Sequence, residues 1–535
     1  MNSTSDVLII GAGGAGLVAA INAQESGASV RVLSKEYATR SQTCMAQGGI
    51  NAALGNAGED SVEAHIKNTL KSAHGIASEK AIEHLCKEAL GAVEWLDSIG
   101  VCFSRTKESK IAQRTLGGAS APRACYAQDY TGLKILHTLY DRCNALGIEI
   151  LNEKYLLEIL SEGNRVYGAK VLDIRSGEIE VYKANAVIVA TGGYSRIYDK
   201  HSTNAVGTTG DGIVAAMKAG ARVSDMEFVQ FHPTALKGSS ILISESARGA
   251  GGYLLNSKGE RFTNELAPRD EVARAINDEM DKGENIFLDI RHLGEEFIDE
   301  ELPQERKLAK LYENIDPAFD LIPIKPVAHY TMGGIEVGED SQTCVSGLFG
   351  AGECANHRVH GANRLGGNSL LELIVFGKQA GVNAAKYAME TEHSHTEYGN
   401  EEEETSRESN LVPMLRMGTD IPAIDFYKIR EELGDIFYKN VGISRDANSL
   451  SLTLNAVDGY IKQLPKMGAN DKSKIYNTNR IEFLEFKNML ELSRLVLSGA
   501  LSRQESRGAH FRVDFPQESE AFASHTIIDK DGVVS

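Results

Sequence analysis

The sequence predicts an α/β protein: a Rossmann-type nucleotide-binding domain with an inserted α+β capping domain and a C-terminal helical domain. Three observations support this prediction. A glycine-rich turn joins the first apolar segment to a helical pattern, a second apolar segment ends in a similar turn near residue 190, and helical periodicity dominates after residue 425.

The N-terminal segment has the pattern of a βαβ unit. Asp6–Ile10 is a short apolar run without alternation, which is typical of a buried parallel strand. Gly11–Gly16 follows with the spacing G-x-G-x-x-G, then a helical pattern over Leu17–Ser26 and a second strand over Ser29–Leu33. This order predicts that a pyrophosphate binds at the N-terminus of the helix.

The end of the second predicted strand lacks the acidic residue that often binds a ribose. Ser34 and Lys35 occupy that place, and Glu36 comes one or two positions late. Ser34 and Lys35 are therefore the candidates for hydrogen bonds to a ribose or a phosphate.

Two later segments predict a second contact with a nucleotide. The apolar run Ala184–Ala190 ends in Ala-Thr-Gly-Gly, and Thr208–Gly212 then leads into a helix. Gly347–Glu353 resumes the Rossmann pattern and brings a second acidic contact, Glu353. A second turn of this kind favours FAD over NAD alone.

The change of pattern along the chain predicts the domain boundaries. Mixed elements between about 227 and 342 indicate an insertion, and the polar, glutamate-rich segment that follows residue 390 indicates a solvated linker. The predicted units are the FAD-binding domain at 1–226 and 343–390, the capping domain at 227–342, an acidic linker at 391–424, a helical domain at 425–510 and a tail at 511–535.

The composition excludes several classes of function. The 535 residues are 42% hydrophobic and carry a net charge of −18, which argues against a nucleic-acid partner and gives no reason to expect binding to anionic lipid. No run approaches eighteen consecutive apolar residues. The seven cysteines form no C-x-x-C pair and no metal-binding spacing, which predicts reduced thiols, no bound metal and a cytoplasmic location.

The segment His357–Leu371 predicts an anion-binding site. It places Arg364 among small and amide-bearing residues shortly after Gly350–Glu353. A fixed guanidinium can bind a carboxylate through two parallel hydrogen bonds, and the glycines allow a flat ligand to lie against the backbone.

From Asp6 to about Phe515 the sequence resembles the flavoprotein subunit of succinate dehydrogenase and fumarate reductase, a family that also contains L-aspartate oxidase. The resemblance rests on seven motifs in family order. They are Arg40–Gly49, Phe231–Thr234, Glu245–Gly249, Ala267–Asp270, His329–Gly334, the segment around Arg364, and Arg503–His510.

The resemblance implies that the substrate lies between the flavin and the capping domain. It implies substrate binding by His232, Ser244, His329 and Arg364, and proton donation by Arg269, which is resupplied through Glu245 and Arg248. The implied flavin contacts are Gly11, Ala12, Gly13, Gly14, Ala15, Gly16, Ser34, Lys35, Ser41, Gln42, Thr43, Ala46, Gln47, Gly48, Gly49, Asp211, Glu353, Ser369 and Leu370.

These residue types suit hydride transfer to a C=C bond between two carboxylates. Two histidines and an arginine can hold a dianion and stabilise the charge that arrives on the far carboxylate. Since a guanidinium is normally always protonated, Arg269 can act as the acid only if Glu245 returns its proton at once. The alternative is that Arg269 is an electrostatic clamp.

Two departures from the family pattern bear on the function. In most succinate dehydrogenases a histidine tethers the flavin within S-H-T, whereas this chain has Ser41, Gln42 and Thr43. An amide cannot form that bond, so we predict noncovalent FAD and a lower flavin potential, which favours fumarate reduction. A tether at another residue stays open.

The second departure is Leu116 in the turn Arg114–Gly118, where L-aspartate oxidase has a glutamate that pairs with the amino group of its substrate. An apolar side chain would leave that ammonium unpaired, at a cost of roughly a few kcal/mol. Gln42 therefore favours L-aspartate oxidase, and Leu116 favours a substrate without an amino group.

The sequence thus predicts an FAD-dependent fumarate reductase or succinate dehydrogenase flavoprotein subunit. Because the cysteines do not form a cluster-binding set, electrons would pass through a separate iron–sulfur subunit, and attachment to the inner face of a membrane would come only through partner subunits. L-Aspartate oxidase and a flavin-binding protein without turnover are the alternatives.

Overall fold

The computed structural model describes residues 3–392, 424–469, 471–530 and 532–533. Its strands are β1 (Ser3–Ile10), β2 (Val30–Leu33), β3 (Ile50–Asn51), β4 (Gln113–Arg114), β5 (Ala124–Cys125), β6 (Glu149–Leu151), β7 (Lys154–Glu162), β8 (Arg165–Asp173), β9 (Ile179–Val189), β10 (Val223–Ser224), β11 (Val229–Leu236), β12 (Tyr253–Leu255), β13 (Ile286–Asp289), β14 (Ile322–Thr331), β15 (Gly334–Glu336), β16 (Leu348–Gly350), β17 (Ala355–Asn356), β18 (Ser444–Arg445), β19 (Phe511–Arg512), β20 (Ile527–Asp529) and β21 (Gly532–Val533).

The α-helices lie on both sides of the largest sheet and dominate the chain after residue 425. They are α1 (Gly14–Glu25), α2 (Val62–Ser72), α3 (Glu79–Ser98), α4 (Thr131–Ala145), α5 (Asp211–Lys218), α6 (Glu245–Gly249), α7 (Arg269–Asp281), α8 (Glu295–Glu301), α9 (Pro303–Glu313), α10 (Asn368–Glu392), α11 (Phe426–Asn440), α12 (Ala447–Gln463) and α13 (Thr478–Ser502).

The largest sheet has the predicted Rossmann arrangement. Its strand order is β6-β2-β1-β9-β8-β7, with β16 beside β9. The strands β6, β2, β1, β9 and β16 run parallel, whereas β7 and β8 are antiparallel. The central segments Val7–Ile10 and Ala186–Val189 are apolar and buried because both faces of the sheet are covered. This confirms the predicted βαβ unit, with α1 beginning three residues earlier than the sequence pattern indicated.

Helices α1 and α10 cross in close contact on one face of this sheet. A side chain at Gly381 would place its Cβ atom 2.3 Å from the carbonyl oxygen of Ala19, and one at Gly377 would reach 2.9 Å from that of Ala15. These glycines therefore let the two backbones approach, and they bring the N-terminal turns of both helices to the same edge of the sheet.

A second sheet, antiparallel and of order β11-β14-β13-β12, lies within the segment predicted as an insertion. A separate apolar core, which includes Ile243, Leu254, Val272 and Leu288, packs between this sheet and the helices α6 to α9. The α+β character predicted for the insertion is confirmed, whereas the boundaries of the domains stay predictions.

The C-terminal region contains the predicted helices α11, α12 and α13. The predicted acidic linker lies outside the described residues apart from its two ends. The tail returns to the body of the protein, because β20 pairs with β10 in a five-stranded sheet of order β17-β15-β10-β20-β21. Within the described residues, no helix has the length and apolar character required to cross a bilayer.

Candidate active site

One large cavity runs from the first turn of α1 to the second sheet. Its empty volume, which includes the open solvent at its mouth, is about 1640 Å³, and it extends without interruption from the glycine turn to the capping segment. Of the residues implied by the family resemblance it is lined by Gly11, Ala12, Gly13, Gly14, Ala15, Ser34, Lys35, Ser41, Gln42, Thr43, Ala46, Gln47, Gly48, Gly49, Leu116, Asp211, His232, Ser244, Glu245, Arg269, His329, Glu353, Arg364, Ser369 and Leu370.

Gly16 is the one implied flavin contact that does not line the cavity. It lies inside α1, where an added Cβ would come within 1.9 Å of the carbonyl oxygen of Gly11. Gly11 itself has φ +108° and passes close to the carbonyl oxygen of Ala190. The third glycine of the motif thus serves the packing of the turn on its helix, and its contact with the flavin stays a prediction.

The glycine turn and the start of α10 fit a phosphate-bearing cofactor. Gly13 and Gly14 line the cavity at the first turn of α1, and Ser369 and Leu370 line it at the first turn of α10. Each of these helix N-termini can present backbone N–H groups and the positive end of its dipole to a ligand. The cavity therefore suits the pyrophosphate and the ring system of FAD.

Lys35 and Asp211 belong to a buried polar network beside the cavity. The Lys35 ammonium donates to Asp211 Oδ2 and Glu485 Oε1, both at 2.7 Å, and to the carbonyl oxygen of Gly207. Burial alone would lower the pKa of Lys35, but these two carboxylates outweigh it and raise the pKa. Both charged groups thus have protein partners and also line the cavity, so their contact with the cofactor stays a prediction.

The loop that carries Gln42 is fixed from both sides. Gln42 Oε1 accepts a hydrogen bond of 2.6 Å from the backbone N–H of Ala205, and Thr43 Oγ1 accepts one of 3.0 Å from that of Gly14. Arg114 donates to the carbonyl oxygens of Gln47 and Gly48 at 2.9 Å. These contacts hold the loop, with Gln42, against the cavity.

Four cationic or imidazole side chains meet at the other end of the cavity. The rings of His232 on β11 and His329 on β14 lie 4.9 Å apart, because the two strands pair antiparallel. Arg269 begins α7, and Arg364 comes from the segment before α10. The structure brings together these four predicted residues from distant parts of the chain.

The surroundings of the two imidazoles favour their neutral forms. The pKa of His232 is held well below its usual range by burial, by His329 and by Arg269. Burial and the arginines Arg269 and Arg364 also depress the pKa of His329. The backbone N–H of Thr234 donates to Nδ1 of His232 at 3.2 Å, so the proton of this ring sits on Nε2 and is available to an acceptor in the cavity.

Arg364 is a buried guanidinium without a salt-bridge partner among the residues that the structure describes. Its plane lies over the ring of Tyr330, 4.2 Å from the centroid, and its Nε atom has no hydrogen-bond partner. Burial and the neighbouring Arg269 lower its pKa to about 10. A buried cation with a free donor requires an anion, and the cavity is the place from which one can come.

Arg269, Glu245 and Arg248 form a chain of charges that leads away from the cavity. Glu245 Oε2 accepts hydrogen bonds from Arg269 Nε at 3.0 Å and Nη2 at 2.6 Å. Arg248 Nη2 lies 3.5 Å from Glu245 Oε1 and does not line the cavity. Burial opposes ionisation of Glu245, but the two arginines lower its pKa, so the carboxylate is charged.

Ser244, Leu116 and Glu353 complete the wall. Ser244 caps the short helix α6 by accepting from the N–H of Ser246 at 3.1 Å. Leu116 is 2% exposed, and its aliphatic side chain lines the cavity. Glu353 Oε1 accepts from Thr331, and burial raises the pKa of Glu353 to about 7.

Three further residues belong to the site and were missed by the sequence reasoning. Gln230 contacts both substrate-side arginines, Thr203 Oγ1 lies 2.7 Å from Nδ1 of His329, and Tyr330 supports Arg364. Gln230 could have been predicted from the sequence, because it precedes His232 by two residues and residues two apart on a strand face the same side. Thr203 is 126 residues from its partner and had none.

Comparisons with known proteins agree with this geometry. A profile of the FAD binding domain matches residues 6–370, and one of the fumarate reductase flavoprotein C-terminal region matches 430–534. The 8-methylmenaquinol:fumarate reductase flavoprotein subunit of Wolinella succinogenes is 38% identical over 98% of this chain and 88% of its own length. The succinate dehydrogenase flavoprotein subunit of Rickettsia bellii is 36% identical over 99% and 94%.

A solved structure extends the likeness to the whole fold. The flavoprotein chain of E. coli quinol fumarate reductase superposes with a TM-score of 0.92 at 33% identity, and the match covers 100% of this chain and 96% of that one.

Proposed function

Since the chain belongs to the family of succinate dehydrogenase and fumarate reductase flavoprotein subunits, FAD-dependent oxidoreductases that act on a CH–CH bond, we propose that its cavity binds FAD and a four-carbon dicarboxylate side by side. The observation that carries the proposal is Arg364, a buried guanidinium with a free donor and no carboxylate partner among the described residues. A substrate carboxylate supplies the missing counter-charge.

The residues around Arg364 suit both ends of a small dianion. Arg364 binds one carboxylate, while His232, His329 and Ser244 donate to the other. Because these donors are held by strands and by a helix cap before the substrate arrives, they stabilise negative charge without reorganising. FAD, when bound in its reduced form, supplies a hydride to one carbon of the C=C bond.

Arg269 is proposed to deliver the proton that completes the reduction. It gives a proton to the other alkene carbon. The charged carboxylate of Glu245 then relays a proton from Arg248 to Arg269, and Arg248 recovers its proton from solvent. The two hydrogen bonds from Arg269 to one oxygen of Glu245 make the last transfer short. In the alternative, Arg269 is only an electrostatic clamp, and the proton comes from another group.

We infer that FAD is bound without a covalent tether, because Gln42 offers no nucleophile and its carbonyl oxygen is held by the N–H of Ala205. Acid precipitation of the purified holoenzyme should leave the yellow flavin in the supernatant. Flavin that stays in the pellet would place a tether at another residue and contradict the inference.

Leu116 supports a substrate without an amino group. It is buried and apolar where an ammonium would need a counter-charge. Gln42 is the observation that favours the second candidate, L-aspartate oxidase. We give Leu116 more weight, because flavin can bind without a tether whereas a buried ammonium requires a partner.

Partner subunits complete the proposal. The described residues contain no group of histidine, cysteine and acidic side chains able to hold a metal ion. Electrons would therefore reach the flavin from a separate iron–sulfur subunit, and attachment to the inner face of a membrane would come through partner subunits.

The decisive experiment compares two substrates on the same holoenzyme. Oxidation of reduced viologen with fumarate tests the proposed activity, and formation of hydrogen peroxide from L-aspartate in air tests the alternative. Activity with aspartate and none with fumarate or succinate would overturn the proposal.

A further inference from the structure

Gln230 joins the two arginines of the active site through a single atom. Its Oε1 accepts from Arg269 Nη1 at 3.0 Å and from Arg364 Nη2 at 3.1 Å, and the residue is fully buried. Two guanidinium groups repel each other, so an acceptor between them fixes both positions at once. The reverse orientation of this carboxamide would place an NH₂ group against two cations.

The shape of a carboxamide does not decide between these two orientations, because its oxygen and nitrogen ends have nearly the same size. The two guanidinium donors favour the oxygen end, and this orientation holds only if the groups around the other end accept hydrogen bonds from the NH₂ group. Gln230 Nε2 donates to Asn363 Oδ1 at 2.7 Å and to the carbonyl oxygen of Arg364 at 2.8 Å. Asn363 is itself a carboxamide, so its orientation needs a cause as well.

Asp270 provides that cause. Asn363 Nδ2 donates to Asp270 Oδ1 at 2.8 Å, and Asp270 Oδ2 accepts from Arg274 Nη2 at 2.8 Å. A carboxylate paired with an arginine can only accept hydrogen bonds. It therefore turns the NH₂ group of Asn363 towards itself, which leaves Asn363 Oδ1 to accept from Gln230.

We propose that Asp270, acting through Asn363, holds the oxygen end of the Gln230 carboxamide towards Arg269 and Arg364 and so keeps both arginines in the positions that turnover requires. Asp270, Asn363 and Gln230 are positioning residues in this proposal. The inference rests on the proposed function, because it assigns a role to the arginines of that same site.

The variant Asp270→Asn should reverse the chain of donors. Arg274 can only donate, so it would hold the Oδ1 atom of the new amide, and the NH₂ group would face Asn363. Asn363 would then turn, and its NH₂ group would oppose that of Gln230. We expect fumarate turnover and dicarboxylate affinity each to fall about 10- to 100-fold, the range for a lost hydrogen bond to a charged group.

An exchange of the two residues provides the matched control. Asn363→Asp alone puts two carboxylates in contact and should lower turnover by a similar factor of about 10 to 100. Asp270→Asn combined with Asn363→Asp restores an acceptor-only group next to Gln230. We expect the double variant to recover to within about threefold of the unmodified holoenzyme, a departure from additivity that a double-mutant cycle measures.

The measurements are kcat and KM with fumarate and viologen, dicarboxylate affinity from the change in flavin absorbance, and FAD content. Recovery in the exchanged pair supports the inference. Losses that simply multiply in the double variant, or single variants that behave like the unmodified enzyme, would overturn it. A merely structural role for Asp270 predicts lower FAD content and no rescue.

Gln230→Met keeps the test decisive even if one of the single variants does not fold. This variant removes the carboxamide through which Asp270 is proposed to act. Adding Asp270→Asn to Gln230→Met should therefore alter kcat/KM by less than about twofold. An undiminished effect of Asp270→Asn there would overturn the inference. If the unmodified holoenzyme neither binds dicarboxylate nor reduces fumarate, the proposed function itself fails, which is a different result from active enzyme without coupling.

Discussion

Glu245 binds Arg269 through one carboxylate oxygen, Oε2, which accepts from both Nε and Nη2 of the guanidinium at 3.0 and 2.6 Å. The other oxygen accepts from the backbone N–H of Gly117 at 2.9 Å and lies 3.5 Å from Arg248. The carboxylate thus stands between a guanidinium that lines the cavity and one behind it. This placement suits a group that returns a proton to Arg269.

The first prediction concerns Arg269. Arg269→Ala should lower fumarate reduction by about 10²- to 10⁴-fold, the usual contribution of a general acid, while FAD stays bound. The measurement is steady-state viologen oxidation together with the FAD content of the purified variant. Arg291→Ala, which removes an exposed arginine that pairs with Asp289, is the control. A measurable rate that is unchanged in the variant would contradict this role, and no rate in either protein with FAD bound would favour a flavin-binding protein without turnover.

The second prediction concerns Thr203, whose hydroxyl lies 2.7 Å from Nδ1 of His329. Thr203→Val keeps the shape and removes the hydroxyl, so His329 loses the partner that orients its ring. We expect KM for fumarate to rise about 5- to 20-fold, as for one lost hydrogen bond, with little change in FAD content. Thr203→Ser keeps the hydroxyl and should behave like the unmodified enzyme. A valine variant with unchanged KM would contradict this role.

The third prediction concerns Leu116. Leu116→Glu places a carboxylate in the cavity wall, so fumarate affinity should fall at least about 10-fold through like-charge repulsion. Binding of L-aspartate, seen as a change in flavin absorbance, should appear because its ammonium gains a partner. Leu116→Met preserves the apolar surface and should change neither affinity. L-Aspartate binding by the unmodified enzyme as tight as fumarate binding would contradict the discrimination that we assign to Leu116.

The fourth prediction concerns Asp129, which is fully buried and caps α9 by accepting from the N–H groups of Gln304 and Glu305. Burial raises the pKa of Asp129 to about 6, above the ordinary aspartate value of about 3.9. Between these values the folded state holds a proton that the unfolded state has released. The contribution of Asp129 to the free energy of unfolding therefore decreases as the pH rises from about 4 to about 6.

Asp129→Asn removes this ionisation and keeps an oxygen that can cap α9. We expect the variant to be more stable than the unmodified protein at pH 7, by about 1–3 kcal/mol, with no difference near pH 4. Denaturant unfolding at both pH values measures this. Asp278→Asn, at an exposed position on α7, is the control. A variant that is less stable at pH 7 would contradict the prediction.

Much of the fold and the site could be predicted because the signals are local. The strand, the glycine turn and the helix at the N-terminus follow one another within about thirty residues, and each restricts the backbone of its neighbours. The cations of the active site were found through motifs whose order matches a family. The resemblance alone therefore predicted that these side chains converge, without information on how the domains pack.

The sequence could not supply the partners that lie far along the chain. The Lys35 ammonium, for example, is held by Asp211 and by Glu485, which is 450 residues away. Such a partner cannot be read from spacing, because a buried charge takes whichever counter-charge the fold brings within reach.

By itself, the sequence determined the nucleotide-binding turn, the class of the fold and the residue types that meet a dicarboxylate, since these depend on backbone freedom and on side-chain chemistry that each residue carries with it. Only the tertiary structure decided that Gln230 lies between Arg269 and Arg364, and that Arg364 has no carboxylate of its own among the described residues. Hydrogen bonds and charge pairs act over a few ångströms, and only packing sets which groups come that close.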